Sequence, residues 1–101
     1  MIIQDEIIIK DKAFYTITVK LPKTTFLIVG NDIGFFMCGA LDVAVYDTPK
    51  LKERKVICGK TLGVKTIDDL LNAKLVEVSN ECLCYHISEG MLVKDALLLI
   101  S

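Results

Sequence analysis

Short apolar runs separated by polar turns fill the chain, and their spacing changes from strand-like in the first half to helix-like in the second. Ile2-Ile3 and Ile7-Ile8-Ile9 flank an acidic patch, and Lys10-Asp11-Lys12 reads as a turn. From Ala13 to Leu21 the residues alternate. The set Tyr15, Ile17, Val19 and Leu21 is more apolar than Phe14, Thr16, Thr18 and Lys20, which predicts a half-buried strand facing inward through the first set. Pro22 lacks a ladder donor and ends it. Phe26-Leu27-Ile28-Val29 is continuous apolar chain, as in a strand covered on both faces. Gly30-Asn31-Asp32 supplies turn chemistry and Phe35 to Cys38 the next strand, so residues 25–38 read as a hairpin.

The second half carries helix signals. Leu41, Val43 and Val45 alternate as a strand would, yet Asp42 is a helix N-cap type and Asp47-Thr48-Pro49 is a helix-entry signal. Val56 to Lys60 predicts a strand that ends at Gly63. Thr66-Ile67-Asp68-Asp69 resembles a capping box and opens a short helix, Ile67 to Leu71. Leu75-Val76 leads to Ser79 as the next N-cap, with one helix over residues 80–86 and a last one over about 90–100. Met91, Ala96, Leu97 and Ile100 share the inward face of that last helix. The pattern predicts an α+β fold: a mostly antiparallel or mixed β-sheet of about five strands with three to four short helices packed on it. Residues 1–101 form a single domain, without repeats or linkers.

Composition adds two constraints. Lys and Arg number 12 and Asp and Glu 13, a net charge of -1, so no overall field recruits nucleic acid or an anionic membrane. Hydrophobic residues make up 52% of the chain; with glycine counted in place of tyrosine the share is about 55%, above the usual ~45–50%. A small domain buries only a modest part of its surface, so the surplus points to a closed homo-oligomer. No apolar stretch approaches the ~18 residues of a membrane span. Gln4, Asp5 and Glu6 stand where a signal peptide would be basic and then apolar. These features predict a cytoplasmic protein whose cysteines, Cys38, Cys58, Cys82 and Cys84, are free thiols.

Candidate chemistry centres on Gly34-Phe35-Phe36-Met37-Cys38-Gly39-Ala40-Leu41-Asp42, an apolar run ending in a thiol, a glycine and an acid. Gly39 permits a positive φ or a close backbone approach. Cys38 ahead of a helix start would have its thiolate favoured, the requirement for a nucleophile. Asp42 could orient a partner group. Lys65 could lower the thiol pKa if the Gly63-Val64-Lys65-Thr66 turn lies beside the Cys38-Gly39 turn. Two such turns at one sheet edge would frame a small cleft, with Cys38, Gly39, Lys65 and Thr66 as candidate ligand-binding residues. The bland alternative has Cys38 in the core, Gly39 turning the chain, Asp42 and Thr66 capping helices, and Lys65 solvated; it is the preferred one.

Three other patterns carry less. Gly59-Lys60-Thr61 matches the tail of a phosphate loop, but Arg54 stands where the first glycine is needed and Val56-Ile57-Cys58 is strand-like. Cys82-x-Cys84-x-His86 has zinc-ligand residue types, but on a helix Cys84 points away from the other two, so no metal site is assigned. Lys50 to Lys55 reads as a solvated helix face. No cofactor motif is present in the chain.

Met37-Cys38-Gly39-Ala40-Leu41-Asp42, followed by Gly63-Val64-Lys65-Thr66-Ile67-Asp68-Asp69-Leu70-Leu71, resembles the YunC-like family, a domain family of unknown function in bacteria and archaea. Leu21-Pro22-Lys23, Glu89-Gly90-Met91 and Ala96-Leu97 fit the same pattern, so the resemblance runs over most of the chain. It implies a compact α+β fold, a helix from about Asp42 re-capped near Pro49, and a helix rather than a strand around Cys82. Where the family has glycine at the exit of that helix this chain has His86, which in a left-handed C-terminal position would carry a small steric penalty and leaves helix termination as its role. The resemblance implies no activity. The leading expectation is a self-associating interaction or small-ligand-binding domain, and the alternative is a thiol-dependent enzyme using Cys38.

Overall fold

The computed structural model describes residues 1–39 and 54–101. Within them six strands form one sheet whose spatial order follows the chain: β1 (Ile2–Ile9), β2 (Lys12–Leu21), β3 (Thr24–Gly30), β4 (Gly34–Met37), β5 (Ile57–Lys60) and β6 (Glu77–Val78). Neighbours are antiparallel except β4 and β5, which run parallel. The sheet has six strands rather than about five because β6, at two residues, is too short to show any alternation in the sequence. Two α-helices, α1 (Ile67–Leu71) and α2 (Val93–Leu99), and a 3-10 helix (Asn80–Tyr85) complete the described residues. The helix predicted from about Asp42, and most of the Lys50–Lys55 cluster, lie outside them.

Tight turns set the register of the first three strands. Ile9 pairs with Lys12 across Lys10-Asp11, both with positive φ, the signature of a type I′ hairpin. Leu21 pairs with Thr24 across Pro22-Lys23. There proline leads and Lys23 has φ 63°, the φ pattern of a type II turn. At the β3–β4 turn the Asn31 Oδ1 accepts from Ile33 N–H at 2.9 Å and Gly34 N–H at 3.3 Å. Its Nδ2 donates 3.0 Å to Ile100 O, tying this turn to the end of α2.

The helices pack on one face of the sheet. Phe14, Leu27, Val29, Phe36, Cys38 and Ile57 meet Leu70, Leu75, Cys82, Ile87, Val93, Ala96, Leu97 and Ile100 in the main core. The facing predicted for β2 is therefore reversed. Phe14 and Thr16 are buried, whereas Tyr15, Ile17 and Val19 are half-buried and Leu21 exposed. Both faces of the sheet carry apolar side chains, so hydrophobicity alone could not say which one the helices cover. A smaller cluster on the other face joins buried Met37 and Cys58 to Ile28, Phe35 and Val56.

The connections follow from local hydrogen bonds. Thr66 caps α1 as predicted, its hydroxyl accepting from Asp69 N–H at 3.1 Å. Ser79 occupies the N-cap position of the 3-10 helix but makes no capping bond. Its buried hydroxyl instead donates 2.7 Å to Val56 O and accepts from Cys58 N–H at 3.2 Å, fastening the helix to β5. The helix predicted over residues 80–86 is a 3-10 helix, Asn80–Tyr85. It ends at His86 in the left-handed region, φ 62° and ψ 26°, whose N–H reaches Cys82 O and Leu83 O. Residues 73–75 and 90–93 clasp each other through Leu75 N–H to Met91 O, Gly90 N–H to Leu75 O and Val93 N–H to Ala73 O.

Candidate functional site: a groove at one end of the sheet

Strand direction brings distant residues to one end of the sheet. The C-terminal ends of β2, β4 and β5 and the N-terminal end of β3 all lie there, because β3 is antiparallel to β2 and β4 while β5 is parallel to β4. Beyond β4 the chain bends at Cys38-Gly39, and beyond β5 it continues through Thr61-Leu62. These two segments touch. Thr61 N–H and Oγ1 both donate to Met37 O, at 2.9 and 3.3 Å. A Cβ on Gly39 would stand 2.6 Å from Leu62 Cδ2 and 3.1 Å from Thr61 O. Close approach, rather than a positive φ, is what Gly39 provides. Gly63, with φ 73°, then turns the chain toward Val64-Lys65-Thr66.

That turn faces the β2–β3 hairpin across an open groove of about 560 Å³, lined by Lys20, Leu21, Lys23, Thr24, Thr25, Val64 and Lys65. Its charged lining residues among those described are all lysine. Among the described residues the ion pair is Lys60 with Glu77 at 3.4 Å, so none of the described carboxylates pairs with Lys20, Lys23 or Lys65. Lys65 N–H donates to Asp69 Oδ2 at 3.2 Å, which holds the turn and leaves the lysine side chain exposed.

Cys38 lies beneath the groove, 4% exposed and within the main core. Its Sγ accepts from Leu27 N–H at 3.3 Å and donates to Thr25 O at 3.8 Å. Its backbone N–H donates 3.0 Å to Leu27 O, extending the β3–β4 ladder by one rung. The thiol thus faces the backbone of β3 and not the groove. Of the sequence candidates, Lys65 lines the groove, Thr66 caps the adjoining helix, Gly39 packs against Leu62, and Cys38 supports the floor. Asp42 lies outside the described residues. Lys20, Lys23, Thr24 and Thr25 are not among the sequence-predicted site residues; Lys23 enters there only within the Leu21-Pro22-Lys23 motif. The signal was the Pro22-Lys23 turn: antiparallel pairing of residues 25–38 puts that turn at the same end as Cys38.

The other sequence patterns fall elsewhere. Cys82 is buried, with Sγ 3.3 Å from Cys58 O and 3.5 Å from Ser79 Oγ. Cys84 and His86 are exposed, so the Cys-x-Cys-x-His residues do not share one environment. None of Cys38, Cys58, Cys82 and Cys84 is joined in a disulfide. Gly59-Lys60 belongs to β5, inside the sheet rather than in a phosphate-binding loop. No helix among the described residues is long and apolar enough to cross a membrane.

Comparison with known proteins places this architecture. Residues 37–100 match the family model described as a domain of unknown function, DUF1805. The chain is 49% identical over 92 residues to the uncharacterized protein YunC of Bacillus subtilis (strain 168), covering 91% of this chain and 90% of that one. Among solved structures it is similar to the protein of unknown function TA1206 from Thermoplasma acidophilum. The TM-score is 0.87 at 28% identity, over 100% of this chain and 94% of the other.

Proposed function

This chain belongs to the YunC-like, DUF1805 family of unknown function, and from that premise we propose a non-catalytic cytoplasmic domain that holds a small ligand in the sheet-end groove and associates with copies of itself. The groove carries the reading. It collects side chains from the end of β2, the β2–β3 turn and the Gly63–Thr66 turn into one concave surface. Its volume is within the ~300–1,000 Å³ of small-molecule sites.

A thiol mechanism lacks the geometry it needs. A nucleophile must reach substrate with a base at hand, whereas Cys38 is sealed in the core with its sulfur directed at β3. The chain's single histidine is exposed at the end of the 3-10 helix. Ellman's reagent should therefore titrate Cys84 rapidly in the folded protein and Cys38 only on unfolding. Rapid modification of Cys38 would revive the enzyme reading. For ligand binding, a fragment screen by amide chemical shifts should concentrate its hits on Lys23–Thr25 and Val64–Lys65; hits scattered elsewhere would remove the groove as the site.

Self-association is supported by the outer hairpin, where Ile2 and Ile8 are 73% and 69% exposed on one face of β1. Cysteines outside any disulfide accord with the cytoplasm. Sedimentation at micromolar concentration should find a dimer or larger closed assembly, and a strict monomer would refute that part.

A further inference from the structure

Building on the reading of the groove as a ligand site, we propose that the ligand is anionic and docks a phosphoryl group onto Lys20, Lys23 and Lys65. The chain as a whole has a net charge of -1, yet three lysines line this groove and no described acid does. They come from two segments far apart in sequence: the β2–β3 hairpin, which carries Lys20 and Lys23, and the turn after Gly63, which carries Lys65. A run of basic residues in sequence would bring lysines together without any site. Lys20 and Lys23 are neighbours within one hairpin, but Lys65 joins them only through the fold, and nothing local requires that.

The surroundings suit an anion. None of the three ammonium groups has a carboxylate partner among the described residues, so an arriving ligand displaces water rather than an existing ion pair. Thr24 and Thr25 also line the groove, and Leu21 and Val64 give apolar surface for the rest of a small organic phosphate. Lys23 holds φ 63° in a two-residue turn, where glycine or asparagine would meet less steric resistance. The turn therefore gains nothing locally from a lysine, and its side chain is what the position contributes. Three compact point charges match a multiply charged phosphoryl group better than a single carboxylate, which would leave part of the positive charge unbalanced.

The test is a titration of the whole chain with pyrophosphate, followed by amide shifts at low salt, with citrate as a parallel arm. Saturable shifts should appear at Lys23–Thr25 and Val64–Lys65, weaken as salt rises, and exceed those with citrate in affinity. Lys23→Gly removes the charge while relaxing the turn, so folding is preserved; it and Lys65→Gln should each weaken binding about tenfold. Lys12→Gln, in the hairpin at the opposite end of the sheet, should bind as the parent chain does. No saturable response, equal loss in Lys12→Gln, or tighter binding of citrate would each overturn the phosphoryl assignment. Neutral fragments still occupying the groove would then show that only the ligand class was wrong. A groove empty to both would remove the underlying reading as well.

Discussion

The β1–β2 hairpin and the C-terminal half use the same kinds of side chain for opposite ends. In the C-terminal half Leu70, Leu75, Ile87, Val93, Ala96, Leu97 and Ile100 are all essentially inaccessible. Even its buried polar groups are bonded, Ser79 to Val56 and Cys58, and Thr61 to Met37. β1 has no fully buried residue, and its isoleucines at positions 2, 3 and 8 are exposed. One region is a core sealed by helices; the other is a sheet edge that places oil in water. High hydrophobic content therefore reports two different things in one chain. The acids in the middle of β1 sharpen the contrast. Two copies of β1 pairing antiparallel about their centres would set Asp5 against Asp5 or Glu6, and like charges directly opposite are destabilising. The proposed self-association would then use the sheet face bearing Ile2 and Ile8, with half-buried Tyr15, Ile17 and Val19 beside them.

Truncation should separate the two regions most widely. Leu97→Ala, in the centre of the sealed core, should cost about 2–5 kcal/mol in urea unfolding. A loss below about 1 kcal/mol would show that α2 is not the firm cover described above. Ser79→Ala tests the polar stitching of the same region. It deletes the bonds to Val56 O and Cys58 N–H in a buried setting, for about 1–3 kcal/mol. Were Ser79 only a helix cap, an asparagine would restore the loss; its two sheet contacts predict that Ser79→Asn does not.

Changes on the outer hairpin should be nearly silent in the same assay. Ile8→Lys, on a residue 69% exposed, should alter the unfolding free energy of the monomer by no more than about 0.5 kcal/mol. Its effect belongs in sedimentation, where it should shift the proposed assembly toward monomer. A large loss of monomer stability would mean that Ile8 supports the fold itself.

The same contrast explains what the sequence disclosed. Elements defined by local chemistry were legible: the Thr66 cap and helix Ile67–Leu71, and the hairpin over residues 25–38. Elements defined by partners were not. The facing of β2 depends on which side α1 and α2 cover, and β6 exists because residues 77–78 pair with β5. The 3-10 helix forms where Ser79 is drawn to β5 instead of capping an α-helix. At the site, Lys65 and Thr66 could be named because they adjoin a recognisable turn. Lys20 and Lys23 lie more than forty residues earlier and join them only through the order of the strands.

The smallest effect lies at the boundary between the two regions. Tyr15 is half-buried on the face opposite the helices, and its phenol pKa is raised above 10.0, first by burial and then by the nearby negative charge of Asp32. The folded chain therefore keeps this proton at a pH where the unfolded chain has begun to lose it. Its contribution to stability is complete below about pH 10 and is lost as pH rises through the folded-state value. Unfolding free energy should accordingly fall more steeply above pH 10 in the parent chain than in Tyr15→Phe, which has no phenol to ionise. Asp32→Asn should remove only the lesser part of the difference, because burial is the larger cause. Parallel alkaline profiles for parent and Tyr15→Phe would mean that the β2 face is as wet at Tyr15 as the exposed isoleucines of β1, and the line drawn between sealed and open sheet would have to move inward to β3.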